Sequence, residues 1–357
     1  MKIHSADTQL LRYRLDRPVG GSGVASVDVV IATVTLDSGI EGLGFSYVLV
    51  GSSDAAIAAA GQLARLLAGS AVDHPEAVWR RLAAGFNRTR RGPNYVGLAA
   101  LDVAVWDAWA KSLGVPLGIA MGGAARAVPV YGSGSFNTQQ SPEEAAAAAL
   151  AHVERGFRAV KPRVAGRRED QALIRAVAEA VPRATHVMLD ANEKCSASTA
   201  RHLLECAREC GVLFVEEPLP ADDLPGFRAL ARDFSGMLAT GEHLQGIPEA
   251  LPYIAERLCA VMQPDLAAMG GLSECLRVAR LAEPFGVEIS PHFLPGLFIH
   301  LAAAAPNVSW LEDFPLIEPL FSGWPEMSTG GMLDLPPAPG HGLSLAEGAL
   351  QAFAVRR

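Results

Sequence analysis

Nine polar side chains recur along this chain in an order that could do chemistry: Lys161, Arg163, Asp190, Asn192, Glu216, Glu242, Asp265, His292 and Glu312. Most follow a short apolar run, as in FRAVKPR, HVMLDAN, VLFVEEP, MLATGEH, AVMQPD, VEISPH and VSWLED. Three carboxylates gathered without a counter-charge would repel and raise one another's pKa. A hard divalent cation relieves that, and oxygen ligation that leaves water positions open suits Mg²⁺. Asp190, Glu216 and Glu242 are therefore expected as metal ligands. Glu217 is the adjacent alternative to Glu216, but successive strand side chains point opposite ways, so only one of the two should face the metal. An imidazole hydrogen-bonded to a carboxylate has a fixed tautomer and greater basicity, which makes His292 beside Asp265 a candidate general base. Lys161 and Arg163 stand two apart, on one side of a strand, and could hold a substrate carboxylate. Lys161 could act as a base if its pKa were lowered, whereas Arg163 stays protonated and is an anion clamp. Glu312 could donate a proton if its pKa were raised. Asn192 and His243, beside these groups, are candidates for substrate binding.

The elements that must position these groups follow from the spacing. Successive rungs are 20 to 29 residues apart from Lys161 to Glu312. That is room for one strand, one helix and two loops. The intervening segments, such as REDQALIRAVAEAV and ASTARHLLECARECG, have helical periodicity, and SPEEAAAAALAHVERG carries a capping box at Ser141 and Glu144. Strand ends converge on one face of a (β/α)₈-type barrel, where catalytic residues sit. Before the barrel, VDVVIATVTLDSGIEGLGFSYV reads as two strands joined at Asp37-Ser38-Gly39, preceded by a Gly/Ser-rich loop, RPVGGSGVAS. YVGLAALDVAVWDAWAKSLG reads as a long helix ending at Gly114. The expected organisation is an α+β cap over residues 1–125, a barrel over 126–320, and a Pro/Gly-rich segment over 321–357 that returns to the cap.

With 357 residues, half of them hydrophobic, the chain can bury a large core in more than one domain. A net charge of −8 disfavours nucleic acid. The N-terminus lacks a secretory apolar segment and no stretch is long enough to span a bilayer, so a cytoplasmic protein without membrane contact is expected. The five cysteines form no CxxC pair and read as packing residues.

The ordered blocks LDAN, FVEEP, TGEH, QPD with its following GG, and SPH resemble the enolase superfamily, specifically its mandelate racemase-like group. ALDVAVWDAWAKSLGVPLGIAMGG resembles that group's helix joining cap to barrel. The resemblance covers nearly the whole chain and implies a (β/α)₇β barrel with an α+β cap. It also implies Mg²⁺ on Asp190, Glu216 and Glu242, an Asp265–His292 base dyad, and an enediolate formed by removing the proton α to a carboxylate. Homo-oligomers, dimers or octamers, are expected by the same likeness. So is specificity set by two cap loops, here about Pro18–Ser26 and Tyr47–Asp54. Where the racemase pattern is Lys-x-Lys, this chain has Lys161-Pro162-Arg163. Racemisation needs a base on each face, and a permanent cation removes one of them. Syn elimination of water needs a single base that can return its proton to the leaving hydroxyl. A sugar-acid dehydratase is therefore expected, with a racemase, epimerase or sugar-lactone cycloisomerase as the alternative and an idle scaffold as the remote one.

Overall fold

A computed structural model describes residues 1–19 and 23–355. Strands β1 (Ile3–Val19), β2 (Val24–Leu36) and β3 (Glu41–Val48) form an antiparallel sheet in that order. The strand-rich alternation of β2 divides its side chains between two cores. Val27, Val29 and Ile31 join the core shared with the barrel, whereas Val30, Ala32 and Val34 pack with three helices on the other face. Those helices are α1 (Ser53–Leu67), α2 (Pro75–Ala84) and α3 (Pro93–Leu113). The turn at Asp37-Ser38-Gly39 forms as the sequence predicts, with Gly39 at φ 83° donating to Leu36. The Gly/Ser-rich stretch before it is shorter as a loop than expected, because β1 runs to Val19 and β2 resumes at Val24. Residues 20–22 of that loop, and of the first expected specificity loop, lie outside the described residues.

The long helix α3 ends where expected, at Gly114 with φ 69°, whose N–H caps the Ala110 and Lys111 carbonyls. Strand β3 lies directly on α3. A methyl group at Gly42 or Gly44 would stand 2.1 or 2.0 Å from a helix carbonyl, so both positions need glycine for this approach. α3 also carries residues of both cores, with Trp106 and Val103 in one and Leu98 and Leu101 in the other.

The barrel begins at Ala127–Gly132. Among the described residues its further strands are Ala159–Val160, His186–Val187 continued by Leu189–Asp190, Val215–Glu216, Leu238–Thr240, Val261–Met262, Glu288–Ile289 and Leu311–Asp313. They pair in parallel with sequential neighbours, and the last pairs with the first, closing the ring. Among the described residues seven helical crossovers join these strands, from Pro142–Glu154 to Pro295–Ala304, the sixth with an extra short helix at Leu266–Met269, which makes the (β/α)₇β barrel. The first of them carries the capping box of Ser141 and Glu144. Beyond residue 320, Met332–Asp334 pairs antiparallel with the first barrel strand. His341 then bonds Leu43 and Asp107, and Val355 donates to Leu10 of β1. The five cysteines are free, and among the described residues no helix is long and apolar enough to cross a membrane.

Candidate active site

The barrel floor consists of Tyr131, Ala159, Met188, Phe214, Ala239 and Val261, with Trp310 packed against them. The pleat returns a strand to the same face every second residue. Two residues beyond this floor stand Ser133, Lys161, Asp190, Glu216, Gln263 and Glu312, all buried. Two residues further lie Arg163, Asn192 and Asp265, and His292 follows Ser290 in the same way. The polar ladder is thus two tiers of inward-facing side chains. Gly241 interrupts the alternation. Its φ of 138° and the absence of room for a side chain beside Gln263 turn Glu242, rather than its neighbours, toward the site.

In the lower tier Lys161 is fully buried and ion-paired with Glu216 and, at 2.9 Å, with Glu312. Gln263 donates to the same Glu216 oxygen at 2.8 Å. Burial opposes the ammonium charge, but the two carboxylates hold Lys161 protonated, well above the usual lysine value. The lowered pKa that would make Lys161 a base is therefore not found. Glu312 departs from expectation in the same way. Burial alone would raise it, yet Lys161 and His292 press it down to about 2. It is a carboxylate here, accepting from the Phe293 N–H at 3.1 Å, and not a proton donor.

In the upper tier the Arg163 guanidinium lies 3.2 Å from Asp190 Oδ2 and is held charged despite its burial. Asn192, in a left-handed conformation at φ 42°, donates its side-chain amide to Glu242 at 3.0 Å. His292 bridges two carboxylates, with Nδ1 3.2 Å from Asp265 Oδ2 and Nε2 3.1 Å from Glu242 Oε2. Burial disfavours its charged form, but Glu242, Asp265 and Glu312 push it up to about 9. Asp265 Oδ1 accepts from Ala268, which fixes the carboxylate at the start of a short helix.

The three expected metal ligands come from adjacent strands but each leans toward its own cation: Asp190 to Arg163, Glu216 to Lys161, Glu242 to His292. Asp190 Oδ2 and Glu216 Oε1 are buried oxygens that accept no hydrogen bond. Burial and neighbouring carboxylates raise the pKa of Glu216 and Glu242. Crowded, under-bonded carboxylate oxygens of this kind fit a hard divalent cation. A different set, Glu193, Glu217 and His243, has ligand atoms that all lie within 4.8 Å of one another. Its atoms are satisfied within the protein, His243 Nδ1 by Glu217 at 2.6 Å and Glu193 Oε1 by the Ala221 N–H at 2.6 Å.

That set borders the site, with His243 Nδ1 3.5 Å from Glu242 Oε1. Glu217 leaves the extended conformation at φ 38°, and its carboxylate turns to His243. His243, expected to bind substrate, lines a neighbouring cavity of about 490 Å³ with Glu193, Leu224 and Tyr253. Sequence reasoning passed over two groups that touch the site. Gln263 was legible as the first letter of QPD. Tyr47, at the end of β3, donates its hydroxyl to Asp265 across 218 residues of sequence, and no local pattern announces it.

A parallel barrel under an α+β cap, with carboxylates and a His–Asp pair on its strand ends, defines an enzyme of the enolase superfamily. The chain belongs to its mandelate racemase / muconate lactonizing enzyme family. Residues 16–122 match that family's N-terminal domain, and residues 143–349 match the enolase C-terminal domain-like family. L-talarate/galactarate dehydratase of Salmonella typhimurium is 30% identical over 312 residues, covering 87% of this chain and 78% of that one. D-galactarolactone cycloisomerase of Agrobacterium fabrum is 28% identical over 99% of both chains. The crystal structure of L-talarate dehydratase from Polaromonas sp. JS666, complexed with Mg and L-glucarate, superimposes with a TM-score of 0.93. It is 29% identical, covering 99% of this chain and 98% of that one.

Proposed function

We propose that this enzyme dehydrates a sugar acid, with Mg²⁺ held by Asp190, Glu216 and Glu242. The observation that carries the reading is the single imidazole between Asp265 and Glu242, with a guanidinium on Asp190 where the racemase pattern has a second amine. The dehydratase relatives and the Mg-bound structural neighbour support it. Bound Mg²⁺ supplies Lewis-acid polarisation of the substrate carboxylate and offsets most of the charge of its three ligands.

The chain's own residues do the rest. Asp265 accepts from His292 Nδ1 and so presents Nε2 to the substrate. In its neutral form His292 takes the proton from Cα on Nε2, and the electron pair moves into the carboxylate as an enediolate. The same Nε2 then returns its proton to the β-hydroxyl, the C–O bond breaks, and water leaves from the face it shares with the base. The enol product becomes a 2-keto-3-deoxy acid. Lys161 and Arg163, both permanently protonated here, offset the charge that builds on the carboxylate. A buried ammonium and guanidinium do this without reorganising at the moment of reaction.

A second reading has its own support in the cycloisomerase relative, which matches over 99% of both chains. There the same base would remove an α-proton and the group eliminated would be a ring oxygen instead of water. Incubation with a panel of mono- and diacid sugars and their lactones in D₂O, with Mg²⁺, separates the two. A 2-keto-3-deoxy product from open-chain acids is expected, lost by about 10²–10⁴-fold in His292→Asn. Solvent deuterium in unchanged or epimerised substrate, with no keto product, would reject dehydration. Product from lactones alone would select the second reading.

A further inference from the structure

We infer that Tyr47, a residue of the cap, is a positioning residue for the Asp265–His292 dyad, so that the base is held in register by the domain that covers it. Three atoms form a closed triangle. Tyr47 donates its hydroxyl to Asp265 Oδ2, His292 Nδ1 lies 3.2 Å from that same oxygen, and Tyr47 Oη lies 3.4 Å from His292 Nδ1. The ring N–H of His292 therefore meets two acceptors, and the carboxylate oxygen it needs is shared with the phenol. Tyr47 is buried, and both its burial and the nearby Asp265 carboxylate hold the phenol protonated. Toward Asp265 it therefore acts as the donor. Its ring also lies tilted against Phe293 at 6.0 Å, and Phe293 stacks on the imidazole at 3.5 Å.

The rest of the cap fixes where this hydroxyl goes. Gly42 and Gly44 let β3 lie on α3 without an intervening side chain. The same helix grips the segment that begins at Asp265. Asp102 accepts from the Ser273 backbone at 2.8 Å and from its hydroxyl at 2.7 Å, and Trp106 donates to that hydroxyl at 2.9 Å. Trp79 of α2 donates to the Gly270 carbonyl at 2.7 Å. Gly271 has φ 122°, and a side chain there would collide with Asp102 at 2.4 Å. One helix thus sets the position of the phenol and of the carboxylate it touches. The phenol divides Asp265 Oδ2 between two donors, and removing it gives the whole oxygen to His292.

The inference rests on the reading of His292 as the base, and its test has an arm that needs no substrate. Tyr47→Phe and the wild type are compared by ¹H–¹⁵N spectra of histidine-labelled protein without substrate. The His292 ring N–H is assigned by its loss in His292→Asn. In Tyr47→Phe this resonance is expected to move downfield, because the His292–Asp265 bond loses its competitor. On an acid that the wild type turns over, kcat is expected to fall by about tenfold or more, with KM within about twofold and the melting midpoint unchanged. Ser46→Ala, the adjacent buried residue, is expected to leave both readouts alone. An unmoved ring resonance in a folded Tyr47→Phe protein overturns the inference, as does an unchanged kcat. If the wild type acts on no sugar acid, the functional reading fails while the ring resonance still decides the role of Tyr47.

Discussion

Lys161 offers the sharpest test of how this site is held together. Its ammonium is fully buried between Glu216 and Glu312, 5.2 Å from the centre of the Tyr131 ring. Replacing it with methionine keeps the volume and removes the charge. Two buried carboxylates then lose their common partner. Breaking a buried ion pair from one side costs about 3–5 kcal/mol, because the charge left behind is uncompensated. An unfolding entropy of about 2.1 cal/mol/K per residue gives roughly 0.75 kcal/mol/K for a chain of this length. Lys161→Met is therefore expected to melt about 4–7 °C lower in EDTA by scanning calorimetry. The loss should shrink in two conditions. Added Mg²⁺ supplies a replacement positive charge and stabilises by mass action. Lower pH protonates the carboxylates, whose folded-state pKa values in the variant lie above their unfolded ones. Such groups destabilise the fold increasingly as pH rises from the unfolded value through the folded one, so the deficit is largest near neutrality and smallest toward pH ~4. A Lys161→Met protein that melts within a degree of the wild type in EDTA at pH 7 would refute the claim that this lysine neutralises the pair.

Two further outcomes follow from other positions. His300 is buried and neutral, its Nδ1 accepting from the Gly118 N–H at 3.1 Å and its Nε2 facing the His341 carbonyl at 3.2 Å. Burial, with His341 beside it, lowers its pKa to about 4, so stability present above the unfolded value of about 6.5 is lost as pH falls toward 4. That amounts to about 3 kcal/mol, and urea melts at pH 7 and pH 4.5 should show a smaller acid loss in His300→Gln than in the wild type. Arg163→Lys places an amine where the guanidinium pairs with Asp190. It is expected to introduce proton exchange on the second face of Cα, read as epimerised, deuterated substrate in D₂O, while Arg163→Met should introduce none.

Much of the fold and the outline of the site is legible in the sequence. A polar residue after a short apolar run is conspicuous because the strands of a parallel barrel are buried on both sides. This is why Asp190, Glu216 and Glu312 could be placed at strand ends. What stayed hidden depended on partners from other strands. The charge state of Lys161 follows from two carboxylates 55 and 151 residues away in sequence, so its expected role as a base could not be judged locally. The same holds for Glu312, which looked like an acid only while its lysine was out of view. Alternation separates Glu216, which meets Lys161, from Glu217, which meets His243. The structure adds that the strand has ended by then and a left-handed backbone turns Glu217 outward. His243 turns to Glu217 because Gly241 breaks the period that would have carried it inward. Tyr47 was legible as the start of an expected cap loop, but its contact with the dyad was not, since those partners are 218 and 245 positions later.

The grip of α3 on the segment after Asp265 bears on how such proteins can be recombined. Cap and barrel meet there through a short set of donors and acceptors: Asp102 and Trp106 on Ser273, and Trp79 on the Gly270 carbonyl. A chimera that brings in a foreign cap replaces the whole left-hand side of that set together with the phenol of β3. Loop tips chosen for a new substrate will therefore graft cleanly only from a donor whose α2 and α3 present the same partners to this glycine–serine turn. Matching at these few atoms, more than overall identity between parents, is the sorting rule for a shuffled library.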